Sequence, residues 1–113
     1  MKRLNTKFIY HHADNYTLIM TAGGEGTCSV CIDDHVKSCA LIYNLSVEEK
    51  YRRKGYGKSL LNEAEKEACK LGASSVSLSA KIDTFMFDWY KRYGYDSVLS
   101  YDGYITLYKK VNQ

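Results

Sequence analysis

Along the first part of the chain, β-favouring apolar residues alternate with polar ones. Four such stretches stand out, at residues 7–10, 16–22, 27–32 and 36–47. The separators are His11-His12-Ala13-Asp14-Asn15, Gly23-Gly24-Glu25-Gly26 and Asp33-Asp34-His35, rich in turn formers. Together they predict an antiparallel meander. The rhythm then lengthens to that of a helix. Leu60, Leu61, Ala64, Ala68 and Leu71 fall on one face, Glu63, Glu65, Lys66, Glu67 and Lys70 cover the rest, and Gly72 stops the run. Residues 75–80 read as a strand in which Val76 and Leu78 alternate with serines. A second helix starts at Asp83 or Thr84, either able to cap it, carries Phe85, Met86, Trp89, Tyr90 and Tyr93 on one stripe, and ends at Gly94. Residues 95–101 and 104–111 pair about Asp102-Gly103, a strong hairpin signal. The order β-β-β-β-α-β-α-β-β predicts an α+β fold: a mixed, mostly antiparallel sheet of about seven strands with two crossover helices.

A chain of 113 residues holds one core, so a single domain over residues 1–113 is expected. Hydrophobic residues at 45% and charged residues at 26% are the proportions of a globular protein in water. No apolar run approaches the roughly 18–20 residues that cross a bilayer, and no apolar segment follows the two cations of Met1-Lys2-Arg3-Leu4-Asn5. A cytoplasmic protein without membrane contact is the expectation. Net charge +3 is too mild for a general nucleic-acid binder, although the cluster at 50–58, with Tyr51 and Tyr56 interleaved, keeps a small RNA- or DNA-binding domain among the alternatives. The pair Cys28-x-x-Cys31 invites a zinc or redox reading. No second pair completes a ligand set, and residues three apart on a strand face opposite sides. Plain thiols and no metal are expected.

The most informative stretch is Arg52-Arg53-Lys54-Gly55-Tyr56-Gly57-Lys58-Ser59, where two glycines follow three cations and a helix begins at once. Glycine lets a loop turn several amides toward one point. A helix N-terminus adds unpaired N–H groups and a positive dipole end, so the segment is suited to an anion such as a pyrophosphate. It is not a P-loop, because position 52 is arginine where that motif has its first glycine. It is not a dinucleotide fingerprint either, because Leu60 stands where the third glycine belongs.

Arg52-x-x-Gly55-x-Gly57 resembles the Arg/Gln-x-x-Gly-x-Gly/Ala signature of the GNAT superfamily, the acetyl-CoA-dependent N-acetyltransferases. Trp89-Tyr90-Lys91-Arg92-Tyr93-Gly94-Tyr95 is similar to the aromatic segment that closes a later helix in that family. The resemblance spans about residues 36–111. It implies that the backbone amides from Arg53 to Lys58, through Lys54, Gly55, Tyr56 and Gly57, cradle the coenzyme's pyrophosphate, with Arg52 and the other cations beside them. It implies that Leu45, Ser46 and Val47 pair through their main chain with the pantetheine arm, where the fourth strand splays from the fifth. Asp83 takes the place of a family asparagine that touches the pantetheine amides. Aspartate accepts hydrogen bonds but does not donate when ionised, and an ordinary helix cap is the alternative reading.

The implied reaction moves an acetyl group from acetyl-CoA directly to an amine, so a neutral amine attacks, an oxyanion develops and a thiolate leaves. Tyr90 matches the family tyrosine near the sulfur, and a phenol, protonated at neutral pH, can supply the leaving group's proton. Its membership of an aromatic stripe offers a core role instead. The family's strand glutamate is replaced by Leu41, which leaves Tyr43, Asn44 or a water chain toward Glu48 as proton routes. Only five residues separate the first two predicted strands, too few for the helices that usually roof the acceptor site. The acceptor side is therefore expected to be open, or closed by a second subunit of a homodimer. An open groove suits a protein or peptide amine better than a small enclosed molecule. A non-catalytic acyl-CoA-binding module is the rival from another class.

Overall fold

The computed structural model describes residues 5–81 and 85–111. The four alternating stretches form β1 (Phe8–Ala13), β2 (Tyr16–Thr21), β3 (Gly26–Ile32) and β4 (Cys39–Val47), hydrogen-bonded in succession as antiparallel neighbours. β2 shows the alternation best: Thr17, Ile19 and Thr21 are buried, and Tyr16, Leu18 and Met20 half-buried. The first separator shrinks to Asp14-Asn15. Asn15 takes a left-handed φ of 57°, which asparagine tolerates, and His11 and His12 extend β1 by pairing with Leu18 and Thr17. β4 begins at Cys39 rather than at residue 36. The Asp33 carboxylate accepts hydrogen bonds from the amides of His35 and Val36 (2.8 and 3.3 Å) and holds that segment in a turn.

α1 (Tyr56–Lys70) follows a short 3₁₀ turn at Glu49–Tyr51, and then come β5 (Ser75–Lys81), α2 (Phe85–Arg92), β6 (Asp96–Tyr101) and β7 (Tyr104–Lys110). Gly72 and Gly94, at φ 100° and 94°, make the left-handed exits that end the two helices. The proposed caps Asp83 and Thr84 lie outside the described residues. The sheet has seven strands in the order β1-β2-β3-β4-β5-β7-β6, and the β4–β5 pair alone is parallel. The α+β order read from the sequence is therefore the order of the structure.

Both helices lie on one face of this sheet. Thr17 of β2 donates to Glu67 of α1 (3.1 Å). Trp89 of α2 faces Gly57 of α1, and Tyr95 beyond α2 donates to Glu65 of α1 (2.8 Å). Leu60, Leu61, Ala64 and Ala68 press against Ile19, Val30, Ile42 and Val76 from the strands. Each fully buried Leu or Ile contributes about 1.5–3 kcal/mol. Glu67 departs from the sequence reading, which placed it on the solvent side of α1. It is only 4% exposed, with its carboxylate met by Thr17 and by His12 (3.4 Å). The partners that make its burial tolerable come from β1 and β2, remote in sequence. On the opposite face of the sheet no helix packs among the described residues.

Candidate active site

The site begins with an irregularity in β4. Ser29 pairs with Tyr43 and Thr27 with Ser46, so Cys28 alone stands opposite both Asn44 and Leu45. This is a β-bulge, and Asn44 absorbs the extra residue in a left-handed conformation, φ 56°. Bulges bend the strand that carries them. Pairing between β4 and β5 accordingly stops after Cys39–Ser75, Ala40–Val76 and Leu41–Ser77, while β5 runs on beside β7 as far as Lys81–Tyr104. The wedge between the two strands is a groove of about 550 Å³, lined by residues 41–45 and 77–81 with Met86 and Tyr90 of α2. Its edges carry main-chain groups that no longer pair across the gap. Leu45 lines the groove, as expected, and Ser46 and Val47 carry β4 on toward the start of α1.

At that end lies the glycine loop. Arg53 and Gly55 both have left-handed φ, 64° and 93°, and Gly55 caps α1 with no side-chain hydrogen bond. The first intrahelical bond reaches back from Ser59 to Gly55 (3.0 Å), which leaves the amides of Tyr56, Gly57 and Lys58 as the orphan donors of the helix start. No acidic residue sits in that first turn. Successive amides set by alternating left-handed residues form an anion-binding concavity. The fit to a pyrophosphate therefore rests on the chain's own geometry as well as on charge.

The side chains here divide their tasks. Arg52 donates through Nε to the Val47 carbonyl (2.9 Å), tying the loop to the end of β4. Tyr56 turns away toward Glu25 (3.5 Å) and packs edge-on against Tyr51, so its contribution to an anion is its amide. The Lys58 ammonium lies 5.2 Å from the centre of the Tyr93 ring. Arg53 and Lys54 remain exposed. Asp83 cannot be placed, since it lies outside the described residues.

Tyr90 is 6% exposed and packs edge-on against Trp89 and Tyr95, yet it lines the groove. Among the described residues its hydroxyl has no hydrogen-bond partner. Burial, with the nearby Cys28 thiol adding to it, pushes the phenol up to about 12. It therefore stays protonated at any ordinary pH. Its ring belongs to the core, and the residue also lines the groove. Cys28 is fully buried, its own thiol is raised to about 12 by burial, and Cys31 lies on the other side of the sheet. Among the described residues no group of three or more His, Cys, Asp or Glu gathers. His35 stays in the turn before β4, away from the groove. Sequence reasoning named Asn44 without its role. An asparagine interrupting an apolar strand was the available signal for a left-handed residue.

The family profile described as "Acetyltransferase (GNAT) domain" matches residues 9–97. The chain belongs to the GNAT acetyltransferase family. Solved structures repeat the architecture at low identity. One is a GNAT-family protein from Desulfovibrio desulfuricans, with TM-score 0.80 and 16% identity over 89% of this chain and 73% of that one. A Bacillus subtilis acetyltransferase in complex with CoA gives 0.79 and 14% over 96% and 100%. The ribosomal-protein-S18-alanine N-acetyltransferase of Escherichia coli gives 0.71 and 17% over 90% and 73%. A comparison with curated proteins found no match in sequence. As a GNAT member the protein is an acyltransferase that draws its acyl group from an acyl-CoA. No helix among the described residues is long and apolar enough to cross a membrane.

Proposed function

We propose that this GNAT protein transfers an acetyl group from acetyl-CoA to a protein or peptide amine. The observation that carries the coenzyme half is continuity: a groove edged by unpaired strand backbone leads to an uncapped, cation-flanked helix start. A diphosphate fits the amides of residues 53–58, with Arg53, Lys54 and Lys58 beside it and Arg52 holding the loop. A pantetheine arm lying along residues 45–47 pairs with the free edge of β4. That leads the thioester into the groove toward Tyr90, which protonates the departing sulfur. The acceptor half rests on the two-residue turn between β1 and β2, which leaves the opposite sheet face open to a large substrate. The similar E. coli enzyme acts on an alanine of ribosomal protein S18, an acceptor of that size.

Two measurements test the proposal. Acetyl-CoA at 100-fold excess over its dissociation constant should stabilise the protein by about 2.7 kcal/mol. A panel of peptides with free and blocked N-termini, read by mass spectrometry, should then show mass gained by the acceptor. Absence of any stabilisation at millimolar acetyl-CoA, or coenzyme hydrolysis with every acceptor unmodified, would overturn it.

A further inference from the structure

The groove pierces the sheet. Tyr90 reaches it from the helix side, whereas Tyr43 stands on the other side, the face of Leu18 and Ser29 in the pairing register. Tyr43 is the residue immediately before the left-handed Asn44, so its backbone is fixed where β4 parts from β5. Its phenol stands near the Cys31 thiol of β3 and the Tyr16 hydroxyl of β2, and Tyr16 in turn lies 3.3 Å from the Ser29 hydroxyl. It is nevertheless 39% exposed, open to anything arriving on the helix-free face.

We propose that Tyr43 is the acceptor-side catalytic residue, its phenol oxygen receiving a hydrogen bond from the N–H of the attacking amine. This deepens the acyl-transfer reading and rests on it. In the reaction the amine lone pair forms the N–C bond, the C–S bond breaks, Tyr90 protonates the sulfur, and the amine's surplus proton passes through water back to the Tyr90 phenolate. Tyr43 takes no proton of its own. Burial, then Cys31 and Tyr16, hold its phenol above the ordinary value, so it stays neutral and acts by orientation. The other titratable groups lining the groove among the described residues are Lys81 of β5 and Tyr90 of α2. An amine that reaches the groove already neutral suits this arrangement, and an α-amine, with a pKa of about 8, is neutral more often near pH 7 than a lysine side chain of about 10.4.

The probe is a bisubstrate analogue in which the sulfur of CoA is joined through –CH₂–CO– to the α-amine of alanylglycine. Calorimetry on the full chain should show Tyr43→Phe losing at least fivefold in affinity for the analogue, with CoA affinity within twofold and an unchanged melting temperature. Tyr16→Phe should lose a smaller factor. A crystal structure should place the analogue's amide nitrogen within hydrogen-bond reach of Tyr43 Oη. Equal affinity of Tyr43→Phe and the parent for the analogue overturns the assignment. Failure of the parent to bind CoA itself is a different result, and it removes the acyl-transfer reading beneath.

Discussion

Replacing Gly57 by alanine adds a methyl group at the second residue of α1. The new Cβ would lie 3.5 and 3.7 Å from two Trp89 ring carbons and 4.0 Å from Val47 Cγ2, which is ordinary contact. Gly57 has no positive φ, so alanine meets no backbone strain there. Helix propensity favours alanine over glycine by about 0.5–1 kcal/mol, and the methyl also gains cover from Trp89. The expected outcome is a melting temperature raised by roughly 2–6 °C, with the CoA dissociation constant within threefold, because residue 57 serves the anion through its amide. Gly55→Ala is the counterpart. At φ 93° an alanine costs about 1–2 kcal/mol, and any relaxation turns the first-turn amides away from their common focus. That variant should melt lower and bind CoA at least tenfold more weakly. Differential scanning fluorimetry and calorimetry read both quantities on one sample. A Gly57→Ala protein of unchanged stability that loses CoA tenfold would show that the space beside residue 57 belongs to the ligand, and would refute an anion held by the amide of residue 57 alone.

Four further outcomes are expected. Tyr90→Phe should keep CoA affinity and lower turnover by about 10²-fold, within the usual range for general acid help, and unchanged turnover would return Tyr90 to the core. The same phenol bears on pH: its folded pKa of about 12 lies above the unfolded value of 10, so its stabilisation is whole below pH 10 and is lost as pH rises toward 12. Denaturant midpoints of the parent should fall across that window more steeply than those of Tyr90→Phe. Gly26→Ala should cost about 1–3 kcal/mol in urea unfolding, because its Cβ would stand 2.7 Å from the Ser46 carbonyl oxygen and 2.8 Å from Leu60 Cδ1. Tyr95→Phe, which removes the donor to Glu65 from a site 1% exposed, should cost about 1–2 kcal/mol while leaving the Lys109–Glu65 pair (3.1 Å) in place.

Most of the scaffold could be read from residue patterns, because the decisive contacts are periodic. β2 and α1 each bury one face, and glycine marks both helix exits. The glycine loop was equally legible, since the left-handed Gly55, the uncapped helix start and the run of cations are all local features. Part of what escaped depended on partners distant in the chain, and part on single side chains acting on their own neighbours. Nothing near Glu67 announces that Thr17 and His12 will accept it into the interior. The start of β4 at Cys39 hung on one carboxylate, Asp33, competing for the amides of residues 35 and 36. The wedge between β4 and β5 was expected from family resemblance, whereas its local cause, an asparagine in the left-handed region, was passed over as a candidate proton carrier.

That asparagine has a consequence for parity. Side chains on a strand change sides with every residue, so one surplus residue exchanges the roles of odd and even. Ahead of Asn44, the odd-numbered Leu41 and Tyr43 look away from the helices; behind it, the odd-numbered Leu45 and Val47 look toward them and join the core. Deleting Asn44 would undo both effects at once, turning two apolar anchors out into water and letting β4 zip shut along β5 where the slot now opens.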